Sequence, residues 1–171
     1  MPGNKFLTNN AGQVTELAGT QVSAGAGDAN KIVALDAGGR IDPTMMPVGI
    51  VADTATLLAS EALSAGDFVN IYNNAGVPTA RKADASTVGK ECHGFVLSAV
   101  LMAANAQVYF EGSNNQIAGA LAGKRFLSTS TPGGHQATAP TVAGQIVQVV
   151  GVAVSATNIN FETDATTILL A

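Results

Sequence analysis

From Phe126 to Phe161 the chain carries no Asp, Glu, Lys or Arg, although this stretch is dense in β-forming residues. A soluble antiparallel sheet normally sets charged side chains at alternate, outward positions. Here those positions fall to Ser, Thr, Gln, Ala and Val. Two coverings are compatible with that pattern. Either hydroxyls and amides alone keep the face wet, or another subunit covers it, because desolvating uncharged surface costs little. The rest of the chain shares the poverty of charge: 12% charged residues, against a usual ~25%, beside 47% hydrophobic. That balance excludes charge-driven disorder. With 8 Lys+Arg against 12 Asp+Glu and a net charge of −4, no phosphate-neutralising stripe is expected and nucleic acid is not an expected partner. A single Cys excludes an intramolecular disulfide framework.

Residues 1–47 and 48–171 read as different materials. The first stretch is broken by Gly12, Gly19, Gly25, Gly27, Gly38 and Gly39 and closed by Pro43 and Pro47. Its apolar residues are sparse, clumped at Phe6-Leu7 and Ile32–Leu35, so the expectation is an extended N-terminal arm with at most one short strand, at Lys31–Leu35; a floppy tail is the alternative. From Val48 onward short β patterns dominate. Strands are expected at Val48–Ala52, Thr54–Ser60 and Phe68–Tyr72, the last turning at Asn73–Gly76 into Val77–Lys82. Further strands are expected at Cys92–Met102 (bent at Gly94), Gln107–Glu111, Arg125–Thr129, Ile146–Val154, Asn158–Phe161 and Thr166–Leu170. Only Asn115–Ala122 could make a helical turn. The predicted fold class is all-β: a compact Greek-key or barrel domain at 48–171, preceded by the arm.

A search for chemistry returns little. Cys92 and His93 are adjacent, so a strand would point them to opposite faces, and His135 sits in a turn with no carboxylate near it in sequence. Three Cys and His residues in all are too few for a Cys/His zinc site. Cys92 lies in an apolar run and reads as a small buried hydrophobe. Gly123-Lys124 lacks the Ser/Thr and the preceding Gly of a phosphate-binding loop, and no Gly-x-Ser-x-Gly elbow occurs. Arg81-Lys82 and Lys124-Arg125 read as solvated or interfacial charges. No enzyme activity, no metal and no cofactor is expected. No window reaches the ~18 consecutive apolar residues of a membrane span, so no membrane partner is expected, and the amino-terminal residues read as cytosolic synthesis.

Three segments carry a resemblance. The run Lys31-Ile32-Val33-Ala34-Leu35-Asp36-Ala37-Gly38-Gly39-Arg40-Ile41-Asp42-Pro43-Thr44-Met45-Met46-Pro47 resembles a K-I-V-x-L-D-x-x-G-K-I-D-x-x-x-x-P segment of tailed-bacteriophage fibre and head-associated proteins. Leu127–Gly134 with Gly144–Thr157 is similar to the C-terminal part of small phage structural modules, and Glu61–Asn70 resembles the opening of β-clip modules. The chain thereby resembles the head-decoration (capsid cement) proteins of tailed phages, with a β-clip or β-tulip-like domain. The resemblance implies a homotrimer on the outside of the virion capsid, made in the bacterial cytoplasm, that binds the phage major capsid protein and bridges its subunits. A tail-fibre, tail-spike or host-surface-binding module is the alternative. An arm of this composition would dock through its apolar anchors, here Phe6, Leu7, Ile32, Val33, Leu35, Ile41, Met45 and Met46. Packing of the Met45-Met46 pair on the chain's own β domain is equally open.

Overall fold

The computed structural model describes residues 5–46, 52–162 and 167–171, in two compact units, Met1–Val51 and Ala52–Ala171. The fold is all-β, with two single-turn 3-10 segments, Ala26–Asp28 and Pro43–Met45, as its helical elements among the described residues. The expected strand residues Val48–Val51, and Thr166, lie outside the described residues.

In the first unit, β1 (Lys5–Asn10) and β2 (Gln13–Ala18) form an antiparallel hairpin where the sequence reading assigns none. Ala11 and Gly12 both have positive φ, 52° and 89°, the type I′ pattern whose twist matches paired strands. The Gly12 N–H donates to Asn9 Oδ1 at 2.9 Å, locking the turn. The expected strand at Lys31–Leu35 is reduced to one parallel bridge, Thr20 with Val33, flanked by Thr20 N–H to Ile32 O and Ala34 N–H to Thr20 O, each 2.8 Å. Gly19 and Gln21 flank Thr20 on the partner strand and give Ile32 and Ala34 no apolar side chains to pair with.

The second unit holds a closed barrel and a five-stranded sheet. The barrel comprises β3 (Thr54–Ala59), β4 (Phe68–Asn74), β5 (Val77–Lys82), β6 (Gly94–Phe95) and β7 (Asn105–Tyr109), in the order β3-β5-β4-β6-β7. Hairpin pairing is antiparallel, yet the barrel closes through a parallel contact of β3 with β5, Leu58 opposite Thr79 and Ala59 opposite Ala80. The sheet uses β8 (Glu111–Asn114), β9 (Gly123–Leu127), β10 (His135–Gln136), β12 (Val149–Ser155) and β13 (Asn158–Glu162), ordered β10-β9-β12-β13-β8. A small separate pair joins β11 (Ile146–Val147) to β14 (Ile168–Leu169).

Two expected strands are cut short for one reason: the chain changes partner every few residues. In Cys92–Met102, His93 donates to Val69 O, Gly94 and Phe95 pair with β4 and Phe95 also with β7, Val96 donates to Asp67 O, and Val100 bridges Leu63. In Ile146–Val154 the break falls at buried Gln148. Its side chain grips the Cys92 backbone, accepting from the N–H at 2.6 Å and donating to the C=O at 2.8 Å. The segment Asn115–Ala122 is irregular and has no helical turn.

Period-two alternation splits the barrel strands between two cores. Val69, Ala80, Val96, Ala106 and Val108 fill the barrel. Their neighbours Phe68 and Phe95 turn outward and pack with Leu127, Val150, Ile159 and Phe161 from the inner face of the sheet. Phe161 meets Phe68 at 5.8 Å and Phe95 edge-on at 5.4 Å between ring centroids. Each such ring contributes ~1.5–3 kcal/mol by burial, and a ring pair adds ~0.5–1.5 kcal/mol.

Candidate interaction surfaces

Among the described residues of the first unit, 5–46, none is buried. Ordering a backbone costs about 1–2 kcal/mol per residue, and an isolated two-stranded hairpin is marginal in water. The unit nevertheless displays Leu7 at 72% exposure, with Val14, Leu17, Val22, Ile32, Val33, Leu35, Ile41 and Met46 also exposed. Phe6 and Met45 are half-buried. Register pairs Phe6 with Leu17 and Thr8 with Thr15 on one hairpin face, while Lys5 and Leu7 share the other with Glu16, whose carboxylate takes the Lys5 ammonium at 2.5 Å.

The segment that carries the phage resemblance has a local physical logic. Asp36 Oδ1 accepts from the N–H groups of Gly38 (2.8 Å) and Arg40 (2.9 Å), and Asp36 N–H donates to Arg40 O, so the Asp-Ala-Gly-Gly-Arg run closes into a tight loop. Asp42 Oδ1 accepts from Thr44 N–H at 2.9 Å and Thr44 Oγ1–H at 2.6 Å, capping the 3-10 turn whose first residue is Pro43. The bonds to Thr44 hold the Asp42 carboxyl below its ordinary pKa. The Thr44 hydroxyl also accepts Ser23 N–H, and Gln21 Nε2 donates to Leu35 O at 2.7 Å. These ties leave Ile32, Val33, Leu35 and Ile41 on the outside. Val14, Leu17 and Val22 are exposed as well, and none is among the eight residues singled out from the sequence. The available signal for Val14 and Leu17 is the Asn-Asn-Ala-Gly turn at 9–12, which puts them opposite Asn9 and Phe6.

In the second unit the chemistry-bearing side chains do not converge. Cys92 is fully buried, its thiol pushed up to about 12 by burial, with Sγ donating to Gly94 O. His93 Nδ1 accepts the Ile71 N–H at 2.9 Å, and burial lowers its pKa. His135 lines a cleft of about 370 Å³ between the Ala65–Asp67 turn, residues 116–119 and the Thr131–Gly134 turn. Burial, then the nearby Arg125 charge, lower the His135 pKa. Among the described residues no group of three or more His, Cys, Asp or Glu is placed to hold a metal ion, and no helix is long and apolar enough to cross a membrane.

Of the two basic pairs, read as solvated or interfacial charges, only Lys124 is fully exposed. Arg81 lies 4.2 Å over the Tyr72 ring and donates Nε to Asn70 Oδ1, while Lys82 reaches Asp67 at 3.4 Å. Arg125 is 4% exposed and donates Nη2 to Leu121 O. Strand alternation explains the split of the second pair: Lys124 points to solvent and Arg125 to the sheet's inner face. Comparison with protein families, with curated proteins and with solved structures finds no match to this chain.

Proposed function

We propose that this chain is a non-catalytic structural protein of a tailed-phage virion, a capsid decoration or cement protein. Three copies bind the outer surface of the assembled major capsid protein shell and stabilise contacts between its subunits. One observation carries the reading: the first unit holds its apolar side chains outside, with no buried residue beneath them among the described residues. A segment built this way gains its stability on another protein's surface. The loop built by Asp36, Gly38 and Arg40 and the turn capped by Asp42 belong to the segment that resembles phage head and fibre proteins, and that segment presents Ile32, Val33, Leu35 and Ile41. The charge-poor second unit, with cores of its own, serves as the rigid body that the anchors attach.

Stabilisation follows from mass action. A ligand of the assembled shell that ignores free capsid subunits raises shell stability by about 2.7 kcal/mol at a hundredfold excess over its dissociation constant. Adding the protein to undecorated shells raises their disruption temperature, and Leu35→Ser with Ile32→Ser lowers that gain. Unchanged disruption temperatures sink the cement reading. The segment 31–47 resembles fibre as well as head-associated proteins, which favours a tail-fibre component as second reading. Copy number per particle separates the two, hundreds for a cement protein and a few to tens for a fibre.

A further inference from the structure

The five-stranded sheet of the second unit has an open outer face with a definite charge layout. Its central strand, β12, presents Val152 at 49% and Val154 at 62% exposure. Register places Lys124 of β9 beside Val152 on one flank. On the other flank, β13 and β8 pair Glu162 directly with Glu111. All three charged side chains are exposed, and among the described residues none of them has an ion-pair partner. Like charges directly opposite one another across an antiparallel pair are destabilising. On this face the acidic pair of β13 and β8 thus lies two and three strand spacings, roughly 10 and 14 Å, across from the cation on β9, with the apolar strip of β12 between.

We infer that this outer face is where one copy of the chain meets another, Lys124 of one copy lying against the Glu111–Glu162 pair of the next and the two valine strips covering each other. The occupant is a second copy because the face supplies both halves of its own complement. The apolar strip lies within the stretch that has no Asp, Glu, Lys or Arg, so sister strips meet with no like charges opposed. A surface fitted to a partner of one predominant charge would instead show the opposite sign throughout.

A face that meets itself closes as a two-fold pair, so the inference rests on neither the three-copy ring nor the shell binding of the proposed function, and solution mass without shells tests it separately. Sedimentation of the full chain shows a dimer or an even-numbered multimer. Lys124→Glu weakens its association at least tenfold, as three acids then face one another, and Val154→Lys does so through the strip. Lys124→Glu combined with Glu111→Lys and Glu162→Lys restores association, the result a merely structural role for these exposed groups does not predict. Unchanged thermal unfolding of each variant shows that folding is intact. A monomeric wild type, or a multimer indifferent to Lys124→Glu, overturns the inference. A charge-swappable dimer keeps this contact and removes the trimer, and a charge-swappable multimer that leaves shells unaffected keeps it and removes the cement reading.

Discussion

The tetrapeptide Asn-Asn-Ala-Gly occurs twice, at 9–12 and 73–76, and makes the same turn both times. Ala11 and Gly12 have φ of 52° and 89°; Ala75 and Gly76 have 51° and 93°. In each, the first Asn Oδ1 accepts the Gly N–H, at 2.9 Å and 2.6 Å. The hairpins they close have opposite fates. β4 and β5 enter the barrel, with Val69, Asn70, Thr79 and Ala80 buried, whereas β1 and β2 bury nothing. Turn chemistry is local and transferable. Burial is not, because it depends on strands supplied from elsewhere in the chain, which β4 and β5 find in β3 and β6.

The largest test of this contrast is a matched pair of phenylalanines. Phe161→Ala removes a ring packed on two others and should cost ~3–5 kcal/mol, read as a lower urea midpoint of the second unit. Phe6→Ala, in the coreless unit, should move that midpoint by less than about 0.5 kcal/mol. Equal effects would erase the distinction between the units.

Next in size is Gln148→Leu. It strands the Cys92 N–H and C=O in the interior at ~1–3 kcal/mol per group, so chemical denaturation should report a loss of about 2–6 kcal/mol. A neutral result would mean that the bond between the two strand fragments is dispensable.

Acid should act on the two units in sequence. His93 and His135 have folded pKa values lowered by burial, so below ~6.5 the unfolded chain binds protons that the folded chain refuses. The second unit is therefore at full stability above that pH and loses it as pH falls further. Asp28, lowered chiefly by its bond to Lys31, and Asp42, lowered by Thr44, act in the same sense but in a lower pH window. Their contribution persists above the ordinary carboxylate range and disappears only as pH drops through it. Urea midpoints at pH 7.5 and 5.5, with His93→Gln and His135→Gln flattening the slope, check the first half; histidine-independent slopes would refute it. Amide exchange at Ala24 and Thr44, whose N–H groups donate to Asp28 and Asp42, fast only at lower pH, checks the second.

The smallest effect comes from the repeated turn. Left-handed Ala costs ~1–2 kcal/mol relative to Gly, partly offset by the greater freedom of glycine in the unfolded chain. Ala75→Gly should raise the second unit's midpoint by about 0.5–1 kcal/mol, while Ala11→Gly should leave it unmoved. Gly151 is the opposite case. Its φ is 130° and a Cβ there would collide with the Asn160 carbonyl, so alanine has no relief to offer.

Much of this was legible from residue order. The all-β class, the hairpin at Asn73–Gly76, the strand at Phe68 onward and the buried character of Cys92 follow from alternation and turn residues, which act over a few positions. The repeated Asn-Asn-Ala-Gly was equally readable, and its first copy predicts the β1–β2 hairpin for the same reason. Long-range pairing decided the rest. Only the tertiary structure sets β5 parallel to β3, cuts a continuous β run at Gln148, and sends Arg125 inward while Lys124 faces water. Likewise, Glu111 and Glu162 are far apart in the chain and become neighbours through the β8–β13 register alone. Local sterics and hydrogen bonds are written into neighbouring residues; the energy of burial and of paired charge depends on which distant strand arrives beside them.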